Sequence, residues 1–385
     1  KVEALWQRQP QSPVVAAKQI LYDTDKITAF AIGKPSVAFG EPYRVFDQQR
    51  KIARLPGPPF QFLDRIVAIN GEPWKLVEGV TVTAEYDVPT DAWYFAANRQ
   101  SYMPFSVLLE IALQPCGWLA AYLGSALTSE TDLSFRNLDG NAVQHRPVTV
   151  TSGTLSIEVK ITRIASSGGM IIQSYDFAVS DRQGPVYTGD TVFGFFSKES
   201  LAQQVGVQGA TLHQLTDTES AGAEQFAYPE EPPYPDSKLC MLDEIEVFSS
   251  TGGSQGLGYI RGSKVVDPDE WFFKAHFYQD PVCPGSLGLE SFLQLLKVVA
   301  AKKWGVDINS QFETVVCGEK HSWNYRGQII PTNKIILVEA VITAIDDDMK
   351  TLKADGFLSV DGKIIYQLKD FSIKLYLQGD SDGNA

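Results

Sequence analysis

One passage of this chain is written twice, and that duplication constrains the fold more than any other feature. Residues 271–294 read WFFKAHFYQDPVCPGSLGLESFLQ, and residues 93–114 read WYFAANRQSYMPFSVLLEIALQ. Each copy has an aromatic run, a proline that opens an apolar helical stretch, and then Glu-x-x-x-Gln. The first copy is two residues shorter between its Trp and its Glu, and Asn98 stands where the second has His276. Keeping the carboxylate in both copies and the imidazole in one predicts a pseudo-dimer with one of two symmetric sites dismantled.

The correspondence runs outward in both directions. LPGPPFQFLDRIVAI from Leu55 matches YPDSKLCMLDEIEVF from Tyr234, and RPVTVTSGTLSIEVKITRI matches IPTNKIILVEAVITAI. VYTGDTVFGFFS likewise pairs with IYQLKDFSIKLY. These runs are rich in Val, Ile, Thr and aromatics with partial period-2 alternation, and SSGG near Ser166 and VDG near Val360 break them as hairpins should. Each unit therefore reads as a long buried helix with antiparallel strands. A helix wrapped by a curved antiparallel sheet is the hot-dog architecture, in the α+β class. One such unit leaves a strand edge free, and pairing two units into a continuous sheet removes it. The chain is predicted to be a double hot-dog. Residues 41–200 form its first unit, with the degenerate half-site, and 227–378 its second. Residues 201–226, polar and rich in small residues, read as a linker. Residues 1–40 match neither copy and read as a connecting arm, and 379–385 as a disordered tail.

The 385 residues are 44% hydrophobic and 21% charged, which suits a globular protein with a sizeable core. A net charge of -13 argues against nucleic acid, because no basic surface would release phosphate counterions. Cys116, Cys240, Cys283 and Cys317 lack CxxC spacing and read as reduced thiols of a cytoplasmic protein. No signal-peptide pattern follows Lys1. The apolar stretch from Met103 to Leu127 contains Glu110, Gln114 and Pro115. An ionised carboxylate at the bilayer centre costs roughly 2.5–3.5 kcal/mol, so a helix buried in protein is expected there and no membrane partner. Gly-rich phosphate loops, dinucleotide fingerprints and metal-ligand spacings are missing from the sequence.

His276 opens the run H-x-x-x-D-P-x-x-P-G, ending at Gly285. With its flanking residues it closely resembles the active-site region of the bacterial β-hydroxydecanoyl-acyl-carrier-protein dehydratases. The tandem arrangement with a weaker first copy is similar to the dehydratase region of polyunsaturated fatty acid synthases, multidomain enzymes of polyketide-synthase type. The resemblance is strong over 230–378 and weaker over 55–198. It implies a catalytic pair made of a His from one unit and an acidic residue from the other unit's central helix. Transferred residue by residue, His276 pairs with Glu110, and Glu290 faces Asn98 in the degenerate half-site. Glu replaces the usual Asp in both copies. The resemblance also implies a substrate carried on the phosphopantetheine of an acyl carrier protein, neighbouring synthase domains, a homodimer and no metal or diffusible cofactor.

Dehydrating a 3-hydroxyacyl thioester requires a base for the C2 proton, and a histidine with a pKa near 6.5 suits that role. Expelling the C3 hydroxyl as water requires a proton donor, which a carboxyl in an apolar helix supplies because burial raises its pKa. The thioester oxygen needs preset donors, and the backbone N–H of Gly285 at a helix N-terminus provides one. Gln114, four residues after Glu110, shares its helix face and is expected to orient it, as Gln294 would Glu290. In copy one, Asn98 has no basic lone pair and Pro104-Phe105 replaces the Pro-Gly step. His145, His213 and His321 read as structural. Cys283 and Ser286 lack an adjacent base or a G-x-S-x-G elbow and read as non-nucleophilic. Related dehydratases also shift the double bond from trans-2 to cis-3. Two rivals stay open on the residues alone: a hot-dog acyl thioesterase, and a non-catalytic scaffold that binds the acyl carrier.

Overall fold

The computed structural model describes residues 19–377. Residues 1–18 of the expected arm and the expected tail 379–385 lie outside the described residues. The first half contains β1 (Arg65–Ile69), β2 (Thr81–Asp87), β3 (Ser134–Gln144), β4 (Thr154–Ser167), β5 (Met170–Asp181) and β6 (Gly184–Phe196) around a central helix, Phe105–Tyr122. The second contains β7 (Glu224–Ala227), β8 (Glu244–Ser249), β9 (Tyr259–Val265), β10 (Gln311–Thr314), β11 (Lys320–Tyr325), β12 (Ile335–Asp346), β13 (Thr351–Val360) and β14 (Lys363–Tyr376) around a second central helix, Gly285–Trp304.

All fourteen strands form one antiparallel sheet in the order β1-β2-β4-β5-β6-β3-β11-β14-β13-β12-β9-β8-β7, with β10 added beside β14. Read outward from the β3–β11 seam the two halves repeat each other, β6 matching β14, β5 matching β13 and β4 matching β12. Alternation explains the faces: in β4, Leu155, Ile157, Val159 and Ile161 are buried while Glu158 and Lys160 are exposed. The two central helices pack against each other beneath the sheet. The first is long and apolar enough to span a membrane by length and composition, yet 89% of it is buried inside the protein. It is a core helix, and its Glu110, Gln114 and Cys116 are buried with it.

The seam is a true strand pairing, with Trp323 opposite Gly140 and Asn324 opposite Asp139. A Cβ on Gly140 would fall 2.1 Å from the Trp323 ring, so only glycine admits that indole. The indole N–H donates to Asn137 Oδ1 at 2.7 Å, and the Arg326 guanidinium pairs with Asp139 at 3.0 Å. Residues upstream of the first repeat also belong to the core. Thr24–Ile32 is a helix, and Phe30, Phe39 and Tyr43 are buried in an aromatic cluster that reaches Trp118 on the first central helix. The expected linker packs too: Val207 N–H donates to the Ile364 carbonyl at 2.9 Å, and His213 N–H to Glu339 at 3.1 Å.

Candidate active site

Each central helix begins directly after a proline, Pro104 or Pro284, and no side chain caps its first N–H groups. A turn and a half of apolar helix then carries the glutamate inward. Glu110 comes from the first half and His276 from the second, and both line one cavity together with Gln114, Gly285 and Ser286.

His276 ends the short helix Trp271–Ala275 and is buried. Its Nδ1 lies 3.0 Å from the Val282 carbonyl oxygen. A carbonyl only accepts, so Nδ1 carries the proton and the lone pair of a neutral ring sits on Nε2. Burial, with the nearby Arg136 charge adding to it, pushes the imidazole down to about 3 against the favourable hydrogen bond to Val282. Asp280 of the same motif binds Arg136, from β3 of the other half, at 2.9 Å. Thus the motif's aspartate ties the His-bearing loop across the seam.

Glu110 is held by two donors, Ser286 Oγ at 2.7 Å on Oε1 and Gln114 Nε2 at 3.1 Å on Oε2. Burial raises its pKa to about 7, partly opposed by those two hydrogen bonds. Gln114 cannot turn over. Its Oε1 accepts from Phe62 N–H at 2.7 Å, and its Nε2 donates to the Phe60 carbonyl at 2.8 Å. The amide nitrogen must therefore face Glu110 Oε2, which leaves Oε1, beside the rotatable Ser286 hydroxyl, as the better seat for a proton.

At Gly285 a Cβ would lie 2.9 Å from the ring of Tyr325. The sequence asks for glycine here so that the backbone N–H stays open to substrate; the structure adds that the side-chain space is taken by Tyr325, a cavity-lining phenol that sequence reasoning did not single out. Ser286 has no nucleophile's surroundings and instead donates to Glu110.

The second half-site repeats this frame with different contents. Ser106 Oγ donates to Glu290 Oε2 at 3.1 Å, and Gln294 is fixed by Met241 N–H at 2.9 Å and the Leu239 carbonyl at 2.8 Å. The resemblance implies that Glu290 faces Asn98. What the structure shows at Asn98 is Lys297: its fully buried Nζ donates to Asn98 Oδ1 at 3.2 Å, and burial lowers its pKa against the attraction of Glu290. Glu290 Oε1 is buried with no hydrogen-bond partner among the described residues. The ring of Phe105, at the Gly285 position, packs on His321 at 5.3 Å. The remaining histidines are engaged elsewhere, His145 with Thr188 at 2.8 Å, His213 with Glu219 at 3.1 Å and His321 with Tyr187 at 2.9 Å. Among the described residues no group of His, Cys, Asp and Glu is arranged to hold a metal ion.

A duplicated hot-dog with one cavity lined by a histidine and a glutamate from opposite halves defines a double hot-dog protein of the dehydratase type. The FabA-like domain model matches it twice, over residues 55–189 and 234–369, and the chain belongs to that family. It is similar to one of the polyunsaturated fatty acid synthase polypeptides of Thraustochytrium sp., with 32% identity over 383 residues, covering 90% of this chain and 25% of that relative. The chain thus spans about a quarter of that relative's length. Among solved structures it is similar to the dehydratase domain of RzxB from Pseudomonas fluorescens, 12% identical, with a TM-score of 0.47 over 82% of this chain and 98% of that one. The dehydratase domain from the CurJ module of Curacin polyketide synthase is 14% identical, with a TM-score of 0.43 over 81% and 96%. Structures named as thioesterases match with similar scores.

Proposed function

We propose that this chain dehydrates 3-hydroxyacyl thioesters to trans-2-enoyl thioesters, taking them from the phosphopantetheine arm of an acyl carrier protein within a larger synthase. The observation that carries this reading is the convergence of His276 and Glu110 on one cavity, with opposite protonation preferences: burial keeps the imidazole neutral and pushes the carboxyl up to about 7. Two groups whose environments separate their protonation states in this way are a base and an acid.

In the proposed reaction His276 Nε2 takes the C2 proton. The electron pair moves into the thioester carbonyl, and its oxygen is met by the Gly285 N–H at the helix N-terminus. As the enolate collapses, the C3–O bond breaks and the proton on Glu110 leaves with the hydroxyl as water. Ser286 and Gln114 hold the carboxyl in place while it changes charge. Base, acid and oxyanion donor are all supplied by the chain, so the reaction as proposed calls for no cofactor. Isomerisation to a cis-3-enoyl product would reuse His276 to remove a proton from C4 and return one to C2.

We place the functional boundaries at 41–200 and 227–378, with the Asn98–Glu290 half-site silent and a homodimer as the assembly. The test is to incubate the chain with a 3-hydroxydecanoyl-N-acetylcysteamine thioester. A conjugated enoyl thioester, seen by its absorbance, supports the reading. Free thiol without enoyl product would identify a thioesterase, and binding of loaded carrier protein without turnover a scaffold.

A further inference from the structure

The cavity that holds His276 and Glu110 has a positive charge in its wall that the proposed reaction does not use. Arg54 lines it together with Leu55, Gly117 and Phe135, and is only 6% exposed. A guanidinium stays protonated wherever it is placed, so burying one without a counter-charge is costly.

The surrounding protein answers only part of this group. Nη1 donates to the Phe30 and Gly33 carbonyls at 2.8 and 2.9 Å, closing the C-terminal end of the helix Thr24–Ile32. These are the hydrogen bonds the guanidinium makes among the described residues, and Nε is buried with no partner. No described carboxylate forms an ion pair with it. Asp47 attracts it from a distance but is itself bonded by the Ser36 hydroxyl at 2.6 Å. Arg136, on the same cavity wall, shows the contrast, since it is paired with Asp280 at 2.9 Å and bonded to Gln328 Oε1 at 2.9 Å.

Arg54 lies between the cavity and the protein surface. The ring of Tyr278, two residues past His276 and 44% exposed, is 5.5 Å from its Cζ. Gly57 N–H donates to the Ala275 carbonyl at 2.8 Å and so ties this segment to the His-bearing one. Neither His276 nor Glu110 accepts a hydrogen bond from Arg54, which keeps its charge out of the proton transfers. At the matching position of the second unit stands Pro233, so the charge, like the imidazole, belongs to one half-site only.

We propose that Arg54 is a substrate-binding residue that takes an anionic oxygen group, a phosphate or a carboxylate, on the edge of its fork formed by Nε and Nη2. That edge presents two parallel N–H donors, the geometry that suits either anion. The proposal rests on the dehydratase reading for the substrate that brings the charge. A carrier-bound 3-hydroxyacyl thioester has two places for it: the phosphate of the pantetheine arm, and a carboxylate at the far end of the acyl chain.

The experiment compares three thioesters of the full chain's proposed substrate class: 3-hydroxydecanoyl-pantetheine, its phosphopantetheine counterpart, and the pantetheine thioester of a 3-hydroxyacyl chain of the same length ending in a carboxylate. Both kcat/KM for enoyl formation and affinity by titration calorimetry are measured, in the unmodified chain and in Arg54→Gln. At least one charged ligand is expected to exceed the neutral one by roughly 10-fold or more, as a charge-assisted hydrogen bond would give, and to lose that advantage in Arg54→Gln. Which ligand gains identifies the source of the anion. If Arg54→Gln does not fold, Arg54→Lys replaces it and is expected to cut the advantage several-fold, because an ammonium lacks the fork. Equal values for all three ligands in the unmodified chain would overturn the proposal, as would an advantage that survives both substitutions. No enoyl product from any ligand, with an anion-dependent affinity that Arg54→Gln abolishes, would overturn the dehydratase reading and leave the anion site standing.

Discussion

The two half-sites share a frame and differ in what fills it. In both, a serine at the helix N-terminus of one half donates to the glutamate on the other half's helix, Ser286 to Glu110 at 2.7 Å and Ser106 to Glu290 at 3.1 Å. In both, a glutamine one turn later is clamped by a backbone N–H and a carbonyl. Around that common scaffold, His276, Gly285 and Gly117 in one site become Asn98, Phe105 and Lys297 in the other. The first group leaves space and a lone pair. The second fills the space and offers no basic lone pair. What the duplication kept is the set of contacts that packs two helices against each other, and on the proposed reading what it lost is the set that admits a substrate. We therefore assign the carboxylate in the second site to the architecture, where Ser106 donates to Glu290 and Lys297 donates to Asn98.

The largest expected effect of breaking this contrast is at the base. His276→Ala should lower dehydration by on the order of 10² to 10⁴, with its fold intact by circular dichroism, because no other described histidine lines the cavity. Retention of more than about a tenth of the rate would remove His276 from its role.

The acid leaves its mark on pH dependence in two ways. Since Glu110 must be protonated to act and its pKa is pushed up to about 7, kcat/KM should fall as pH rises through that value, while His276 stays neutral down to about 3. Stability follows the same group. Its folded pKa is raised from 4.5, so the favourable contribution is complete below 4.5 and is lost as pH rises through about 7, on the order of 3 kcal/mol in all. Glu110→Gln removes this titration. Its melting temperature relative to the unmodified chain should rise between pH 5 and pH 8; a flat difference would show that the carboxyl is not raised by burial.

The smallest effect is expected from restoring the missing imidazole. Asn98→His in a His276→Ala background should give no measurable gain, since Lys297 and Phe105 still occupy the space and a misplacement of about 1 Å costs 10²-fold. Recovered activity would mean that the second site is merely lacking its base and is not filled.

The frame of this molecule is legible in its sequence, and the fillings are not. Repeated Glu-x-x-x-Gln, helices opened by proline and matched strand runs are local patterns, and a duplicated pattern announces a pseudo-twofold without any knowledge of contacts. The seam pairing of Trp323 with Gly140 is not local and cannot be read from either strand alone. Lys297 escapes a sequence reading because a lysine in a helix reads as solvated. The available signal is its place seven residues after Glu290 on the same face, amid LQLLKVVAA, where its neighbours are apolar. Gly117 escapes for the opposite reason, since a glycine shows its purpose only when the wall facing it, here Leu55 and Phe135, is known. The packing of Thr24–Ile32 and its neighbours onto Trp118 lies outside the repeat, so the duplication says nothing about it.

The central claim is that the site is assembled across the two halves, and one paired measurement tests it most directly. Glu290 is fourteen residues from His276 in the chain, whereas Glu110 belongs to the other unit. Glu→Gln keeps the side chain's size and much of its hydrogen bonding while removing the acid. Both variants are to be assayed for dehydration of the same 3-hydroxyacyl thioester at pH 6, with melting temperatures recorded alongside. The crossed site predicts that Glu110→Gln loses roughly 10²-fold or more in kcat while Glu290→Gln changes it by only about a few-fold. The reverse ranking, with both proteins folded, would show a site built within one repeat and contradict the account.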